Sequence, residues 1–358
     1  MAPSPFPASL AELIVPRRLE AGCTIAAVTP SWGGPAVFPQ RYEVGVRQLE
    51  RSLGVHVVEL PDTRTDAEAL RREPARRAAD IDRAVADPAI AALITTIGGD
   101  DGVRVAPLLD LERIRREAKP FLGYSDATAI HMAWLAAGVR SYYGPSVMAG
   151  FGENTGPFPF LVESVRRTLF AAEPLGVIEP NRDGWTNEHL DWGRPELQER
   201  ARALQPPDPP RALAGRGRAR GRLIGGCAEV LELLRPTPFF PPLTLFDGAI
   251  LFYETSELAL PPAEVARHLG ELAGAGVLER LAGIAIGRWG GMETAERFGE
   301  WDDAAAEAIA RGSGRRDLPI LAHLDFGHTD PCFTLPYGAL AELDLDACTL
   351  CIPERGVV

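Results

Sequence analysis

Residues 120–138 read PFLGYSDATAIHMAWLAAG, and this stretch sets the pattern for the first half of the chain. A short apolar run leads into a sharp turn at Gly123, after which apolar residues recur at helical spacing until Gly138 ends the helix. A strand, a tight turn and a helix with Ser125 at the apex form the geometry of a nucleophile elbow, although Ala127 replaces the second glycine of the usual pattern. The same residues also fit a serine that only caps the helix, so both interpretations stay open.

Strand-like and helical patterns alternate on both sides of this stretch. Apolar runs predict strands at 22–29, 55–60, 90–97, 121–122 and 141–143, and amphipathic patterns predict helices at 39–53, 66–86 (broken near Pro74) and 103–117. The alternation predicts an α/β domain with a parallel, flavodoxin-like sheet flanked by helices. Because ligands bind at the carboxyl ends of such strands, the loops at Ser31, Gly99 and Ser125 should share one rim.

The composition changes after residue 170. The segment 171–218 is rich in proline, arginine and glycine and contains Trp185 and Trp192, which predicts a linker with an aromatic insert. A new strand–helix rhythm follows, and its tail at 339–352 predicts one or two antiparallel strands. The predicted organisation is therefore two α/β domains separated by a cleft, at 1–170 and 219–358.

The overall composition excludes several classes of protein. The 358 residues are 46% hydrophobic and 24% charged, as in an ordinary globular protein, and the net charge of −12 argues against a nucleic acid or an anionic membrane as partner. Cys348 and Cys351 come nearest to a metal-binding pair, but they lie in a strand-like run and are expected to be buried thiols. The odd number of cysteines, and an N-terminus without a secretory pattern, predict a cytoplasmic location.

A serine nucleophile needs a base and an orienting acid. Of the six histidines, His328 alone lies in a glycine-flanked loop just past a predicted strand. Glu254 ends the apolar strand 248–253 and should be partly desolvated there. The turn at Gly98 and Gly99 could offer backbone amides to an oxyanion. Taken singly, these residues could equally be a solvated loop histidine, a capping carboxylate and a plain turn.

Considered together, short motifs along the chain resemble the LD-carboxypeptidase family of serine peptidases. The motifs occur in the family's order and span nearly the whole chain, as IGGDDG (97–102), GYSDAT (123–128), GRLIGG (221–226), LFYETSE (251–257) and FGHTDP (326–331). The resemblance implies that Ser125 is the nucleophile, Glu254 the orienting acid and His328 the base. It also implies that the nucleophile lies in the N-terminal domain and its two partners in the C-terminal domain.

The same resemblance implies the rest of the site. The oxyanion would be held by backbone amides at Gly99 or Asp100 and at Asp126. Catalysis would need no metal and no cofactor, and the protein would be a homodimer. The substrate would be a small peptide or a peptidyl-nucleotide.

The two branches of the family differ in their substrates. One branch removes the terminal D-alanine of muropeptides, and the other, the microcin C self-immunity branch, cleaves an aminoacyl group from a nucleotide-like phosphoramidate. Residues 184–192 resemble the aromatic insert of the immunity branch, so Trp185 and Trp192 are candidates for stacking on a nucleobase. Either tryptophan could instead only anchor the insert. Arg222 and Arg288 lie near predicted rims and could hold a carboxylate or phosphate, although a surface role suits them too.

Two other classes remain open at this level. A two-lobed binding protein would line its cleft with backbone amides and would need no contact between Ser125 and a Glu–His pair. A metal-dependent hydrolase would instead gather Asp100, Asp101, Asp126 and His131 around an ion. A hydrogen-bonded chain from serine to histidine to glutamate would distinguish the peptidase from both.

Overall fold

The structure, a computed structural model, describes residues 5–291 and 294–358 and contains two β-sheets. The first sheet consists of β1 (Thr24–Val28), β2 (His56–Glu59), β3 (Ile90–Thr95), β4 (Phe121–Gly123), β5 (Tyr142–Tyr143) and β12 (Leu335–Pro336). Its order is β12-β5-β4-β3-β1-β2, and β1 to β5 are parallel. The order 2-1-3-4-5 is that of a flavodoxin-like sheet, which confirms the predicted fold class.

The second sheet is mixed. It consists of β6 (Pro174–Ile178), β7 (Arg211–Ala214), β8 (Arg218–Cys227), β9 (Ile250–Glu254), β10 (Gly283–Gly287), β11 (Ile320–Leu324), β13 (Leu340–Asp344) and β14 (Thr349–Arg355). The order is β6-β14-β13-β8-β9-β10-β11-β7, with a parallel centre from β8 to β11. The tail forms two antiparallel strands, as predicted.

Helices cover the sheets. They are α1 (Gly34–Val37), α2 (Pro39–Leu53), α3 (Ala67–Arg72), α4 (Pro74–Ala86), α5 (Gly102–Val105), α6 (Leu111–Glu117), α7 (Thr128–Ala136), α8 (Pro159–Leu169), α9 (Ala228–Leu234), α10 (Pro262–Gly274) and α11 (Phe298–Ser313). The break at Pro74 is confirmed, since proline starts α4 where its missing N–H costs no hydrogen bond. No helix in the described ranges is long and apolar enough to cross a membrane.

Helix α7 joins the two halves of the molecule. All nine of its residues are buried, so the helix is covered on every side and has no solvent-facing surface like that of an amphipathic helix. It belongs to one apolar core that runs from the first sheet into β8, β9 and β10 of the second. At its start, Thr128 Oγ1 accepts a hydrogen bond of 3.1 Å from the Cys227 amide at the end of β8. The helix that follows Ser125 is thus packed directly against the C-terminal half.

The predicted linker carries strands at both ends. β6 and β7 lie at opposite edges of the second sheet. The middle of the segment, 179–210, is irregular apart from one short 3-10 turn and the isolated β-bridges Trp185–Gln205 and Thr186–Asp330. In the other direction, β12 leaves the C-terminal half and pairs antiparallel with β5. The chain therefore crosses between the halves more than once. The domain boundaries at 170 and 219 stay a prediction.

Candidate active site

Ser125 lies at the apex of the turn between β4 and α7. Its φ is +63°, in the left-handed region that residues with a side chain seldom adopt. Holding a serine there costs on the order of 1–3 kcal/mol, and such strain collects at functional sites. A short 3-10 turn at Ser125–Ala127 then leads into the helix. This is the strand–turn–helix elbow expected from the sequence, and it is a tighter turn than a simple N-cap requires.

A continuous hydrogen-bonded chain runs from this serine to two residues of the C-terminal half. His328 Nε2 lies 2.9 Å from Ser125 Oγ, and His328 Nδ1 lies 2.6 Å from Glu254 Oε2. Glu254 is the last residue of β9 and is fully buried, and His328 follows β11. The arrangement has the order and spacing of a nucleophile, base and orienting acid. A binding protein that needs no such contact does not explain it.

A glycine lets the histidine loop approach the acid. Gly327 has φ +96°, and a Cβ at this position would lie 2.7 Å from Glu254 Oε2. Any side chain here would therefore push the loop away from Glu254. The glycine beside His328, which marked the loop in the sequence, is what places His328 Nδ1 within hydrogen-bonding distance.

Tyr143 completes the support of the site and was not predicted. Its hydroxyl donates a short hydrogen bond to Glu254 Oε1 and accepts one of 3.1 Å from the Ser125 amide. Burial raises the pKa of Tyr143 well above its usual value, so the phenol stays a donor. The residue ends β5, at the same rim as the elbow. Its position at a strand end was the one signal that could have identified it.

The carboxylates around His328 favour its protonated form. Burial lowers its pKa, but Glu254, by its charge and its hydrogen bond, and Glu257 oppose this and raise the pKa from 6.5 to about 9. Glu257 Oε2 lies 3.3 Å from His328 Nε2, the same nitrogen that faces the serine. The ring of Tyr124 packs against the imidazole with 4.9 Å between centroids. The imidazole must lose its proton before it can accept one from Ser125.

The glycine turn after β3 lies against the serine. A Cβ on Gly98 would come within 2.7 Å of Ser125 Cβ, so this position needs glycine. Gly99 has φ +123° and lines the cleft beside Ser125. The buried Asp126 carboxylate accepts a 2.7 Å hydrogen bond from the Gly102 amide, which ties this loop to the elbow. Burial raises the pKa of Asp126 to about 6.

The four residues of the metal-site hypothesis are not gathered around one point. Both nitrogens of His131 are already engaged, by Ser141 Oγ at 2.8 Å and by the Gly123 carbonyl at 2.9 Å. Burial lowers the pKa of His131 to about 3, so the ring is neutral. Asp101 pairs with Arg77 and Arg104, and Asp100 points outward toward Arg71. These are structural roles.

One cluster of possible metal ligands exists within residues 5–291 and 294–358. Donor atoms of Cys227, Glu254 and His328 lie within 4.8 Å of one another. Both oxygens of Glu254 are engaged, however, by Tyr143 and His328. Burial raises the pKa of the Cys227 thiol well above its usual value, and the thiol donates to Glu229. A protonated thiol is a poor ligand, so the group fits a serine-type site better than a metal centre.

The serine faces a cleft of about 720 Å³ between the two halves. The cleft lies over the carboxyl ends of β1, β3 and β4, which confirms the shared rim. Trp192 forms one wall, with Phe38 edge-on at 5.7 Å between centroids and the Arg41 guanidinium 4.8 Å from its ring centre. Arg202, which also lines the cleft, is bound by two acids, Glu153 and Asp330.

Two residues proposed to contact substrate lie elsewhere. Trp185 is 1% exposed and packs between Phe298 and the Arg288 guanidinium, so it anchors the insert. Arg222 pairs with Glu354 at 3.1 Å and borders a separate surface depression. Of the four side chains considered for substrate binding, which include Arg288, Trp192 is the one that lines the cleft.

Arg288 is a buried structural cation rather than a ligand for substrate. It binds Asp325 at 2.9 Å and the Asp208 carbonyl at 2.8 Å, and its Nη1 lies 3.4 Å from Thr329 Oγ1. It thereby links the end of the insert to the loop that carries His328. Thr186 and Asp330 add a pair of backbone hydrogen bonds between the same two segments. These contacts hold the insert and the histidine loop together.

Two protein-family models match the chain. The LD-carboxypeptidase N-terminal domain matches residues 25–144, and the LD-carboxypeptidase C-terminal domain matches residues 220–343. A protein of Streptomyces coelicolor that is provisionally named a carboxypeptidase is 32% identical to this chain, over 95% of this chain and 96% of its own length.

Immunity proteins are also similar. The microcin C7 self-immunity protein MccF of Escherichia coli is 27% identical over 78% of this chain and 78% of its own. The structure of MccF in complex with aspartyl sulfamoyl adenosine superposes with a TM-score of 0.82, covering 96% of this chain and all of that one. An MccF-like protein of Streptococcus pneumoniae in complex with AMP gives a TM-score of 0.83 at 25% identity, covering 92% of this chain and 98% of that one.

Proposed function

This chain belongs to the LD-carboxypeptidase family of serine peptidases, and on that premise we propose that Ser125, His328 and Glu254 form its catalytic triad. The observation that carries the proposal is the hydrogen-bonded chain of 2.9 Å and 2.6 Å that joins the three side chains. Support also comes from the left-handed backbone of Ser125, which fits a nucleophile elbow. The reaction is hydrolysis of an amide-type bond through an acyl-enzyme.

The chemistry follows from these contacts. His328 Nε2 takes the hydroxyl proton as Ser125 Oγ bonds to the scissile carbonyl carbon, and the carbonyl π electrons move onto oxygen. The carbon–nitrogen bond then breaks, and His328 returns the proton to the leaving nitrogen. A water molecule, deprotonated by the same nitrogen, attacks the acyl-serine and releases the acid and free Ser125. Glu254 keeps Nδ1 protonated and Nε2 directed at the serine.

The developing oxyanion is proposed to bind backbone amides on both sides of Ser125. The Asp126 amide follows the nucleophile in the elbow, and the Gly99 amide belongs to the glycine turn packed on Ser125. The Ser125 amide is already used by Tyr143, so it is not a donor to the oxyanion. The Asp100 amide remains an alternative to that of Gly99. Losing one such donor typically costs about 10²–10³ in kcat.

The proposed substrate is an aminoacyl- or peptidyl-nucleotide. Trp192 supports this, because its half-buried ring forms a wall of the cleft that could stack on a base. Bound AMP and aspartyl sulfamoyl adenosine in the similar structures support it too. The second candidate is removal of terminal D-alanine from muropeptides, the activity of the other branch of the family; it is supported by the name LD-carboxypeptidase that both matching family models carry.

Two measurements test the function. Wild-type and Ser125→Ala proteins are incubated with an aminoacyl sulfamoyl adenosine and with a muropeptide tetrapeptide, and the released products are measured by mass spectrometry. Loss of about 10⁴-fold or more in the serine variant supports the triad. Equal turnover by both proteins contradicts it. Trp192→Ala should weaken AMP binding by about 1–3 kcal/mol if the ring stacks on a base.

The assembly and location of the protein stay predictions. The family resemblance implies a homodimer, which sedimentation velocity of the full chain tests. The cytoplasmic location inferred from cysteine usage is tested by cell fractionation.

A further inference from the structure

Glu257 is a second carboxylate at the catalytic base. It follows β9 by three residues and lines the cleft, and its side chain is 72% exposed. Its Oε2 atom lies 3.3 Å from His328 Nε2. Glu254 already holds the other nitrogen of the ring, so the triad has no need of a second acid. Glu257 is therefore a carboxylate at the catalytic base that the proposed mechanism does not use.

The contact with His328 competes with catalysis. Glu257 and Ser125 face the same nitrogen, and a proton shared between Nε2 and Glu257 cannot come from the serine. The carboxylates that act on this imidazole are Glu254, Glu257 and the more distant Glu229, and the phenol of Tyr124 packs on its face. Together these acids favour the imidazolium. Productive substrate binding should therefore draw Glu257 away from the base.

A cation on the substrate would do this. In a reactive complex the attacked carbonyl carbon lies about 3–3.5 Å from Ser125 Oγ. A group on the neighbouring α-carbon is then only two covalent bonds beyond that carbon. Glu257 lines the same cleft, and its carboxylate and Ser125 Oγ both lie next to His328 Nε2, so such a group is within reach of the exposed Glu257 side chain. An ammonium group there could pair with the Glu257 carboxylate.

We propose that Glu257 binds a protonated amine next to the scissile carbonyl, so that the substrate is an amide whose acyl residue carries a free α-ammonium group. The proposal rests on the proposed function of Ser125. Substrate binding would neutralise Glu257 and leave Nε2 to the nucleophile. The enzyme would then both select the amine and activate its base through one contact.

The charges elsewhere in the cleft agree with this. Arg202 is bound by Glu153 and Asp330, and Arg41 donates to the Met148 carbonyl and to Asn154. The cations that line the cleft are thus held within the protein. Among residues 5–291 and 294–358, Glu257 forms its ion pair with His328, and this pair must be broken before His328 can act as the base.

The test uses a matched pair of ligands. An aminoacyl sulfamoyl adenosine with a free α-amine is compared with its deamino counterpart, in which hydrogen replaces the amine. Dissociation constants are measured by calorimetry on the Ser125→Ala protein, with and without Glu257→Gln. Glu173→Gln, an exposed change outside the cleft, is the control. Rates of hydrolysis are measured for the same ligands with Ser125 intact.

The expected result is a preference for the amine that depends on Glu257. The Ser125→Ala protein should bind the amine about two- to fivefold more tightly than the deamino ligand, the size of an exposed charge pair. Glu257→Gln should bring this ratio close to one, and Glu173→Gln should leave it unchanged. The same change should appear in the ratio of kcat/KM values.

Other outcomes overturn the proposal. A ratio that survives Glu257→Gln, or binding of neither ligand, would exclude this role for Glu257. Failure of the proposed function has a different signature, since hydrolysis would then persist in the Ser125→Ala protein while the binding ratio could still respond to Glu257. The two hypotheses are therefore separable.

Discussion

Replacing Tyr143 by phenylalanine removes one hydroxyl group that supports two members of the site. In the native protein this hydroxyl donates to Glu254 Oε1 and accepts from the Ser125 amide. Phenylalanine keeps the ring, which packs against Phe252 and Tyr337. The change therefore isolates the hydrogen bonds from the packing.

The size of the effect follows from the buried charge. A hydrogen bond to a charged group contributes about 1.5–3 kcal/mol, and a buried group left without a partner costs a similar amount. If the whole contribution is present in the transition state, kcat/KM falls about 10- to 100-fold, since about 1.4 kcal/mol is tenfold in rate. Without the Tyr143 donor, Glu254 attracts the imidazolium more strongly, so the pKa of His328 should rise further.

The assay is the rate at which a fluorophosphonate labels Ser125, measured as a function of pH. It requires no knowledge of the natural substrate. Tyr142→Phe is the matched control, because Tyr142 on the same strand donates to the Gly356 carbonyl at 2.9 Å and has no contact with the triad. Both variants should lose stability in urea, but only Tyr143→Phe should label slowly and with its pH midpoint moved upward.

The reasoning is refuted by either of two results. One is a Tyr143→Phe protein that labels within about twofold of wild type with an unmoved midpoint. The other is an equal loss of labelling in Tyr142→Phe, which would mean that general destabilisation and not the hydroxyl is responsible.

The wild-type labelling rate should rise with pH through the His328 pKa of about 9, since only neutral imidazole accepts the serine proton. The raised pKa also contributes to the free energy of unfolding, and this contribution should be complete below about pH 6.5 and lost as the pH rises through about 9. A flat pH profile in both measurements contradicts this. Gly98→Ala should abolish labelling, because its Cβ would lie 2.7 Å from the nucleophile's Cβ, whereas Gly270→Ala, in open space on α10, should not. Arg288→Met should cost about 3–5 kcal/mol in urea unfolding by removing the cation that pairs with the buried Asp325 carboxylate, against less than about 0.5 kcal/mol for Arg311→Met on the surface. Similar losses in both variants would exclude a buried role for Arg288.

Local patterns predicted most of the secondary structure, because they depend on residues that are close in the chain. β3 is a continuous apolar run since both faces of a parallel strand are covered, and the break between α3 and α4 follows from a proline. The elbow was visible as glycine, serine and alanine at fixed spacing. Longer elements were less accurate: the helix expected at 103–117 is two helices with a 3-10 turn between them.

The two tryptophans of the insert show where local patterns fail. Trp185 and Trp192 lie seven positions apart in a segment without regular periodicity, so nothing in the sequence assigns a face to either. The structure buries Trp185 against Arg288 and exposes part of Trp192 to the cleft. The sequence could not place Arg222 for a similar reason, since its partner Glu354 lies 132 positions away in the chain.

The sequence by itself determined the α/β class, the elbow at Ser125 and, through the order of its motifs, the family. Only the tertiary structure decided that Ser125 and His328, 203 positions apart, lie within hydrogen-bonding distance. It also decided that Tyr143 joins the nucleophile to the acid. The physical reason is that strand and helix periodicity is local, whereas the site forms where α7 packs against the second sheet and brings distant loops together.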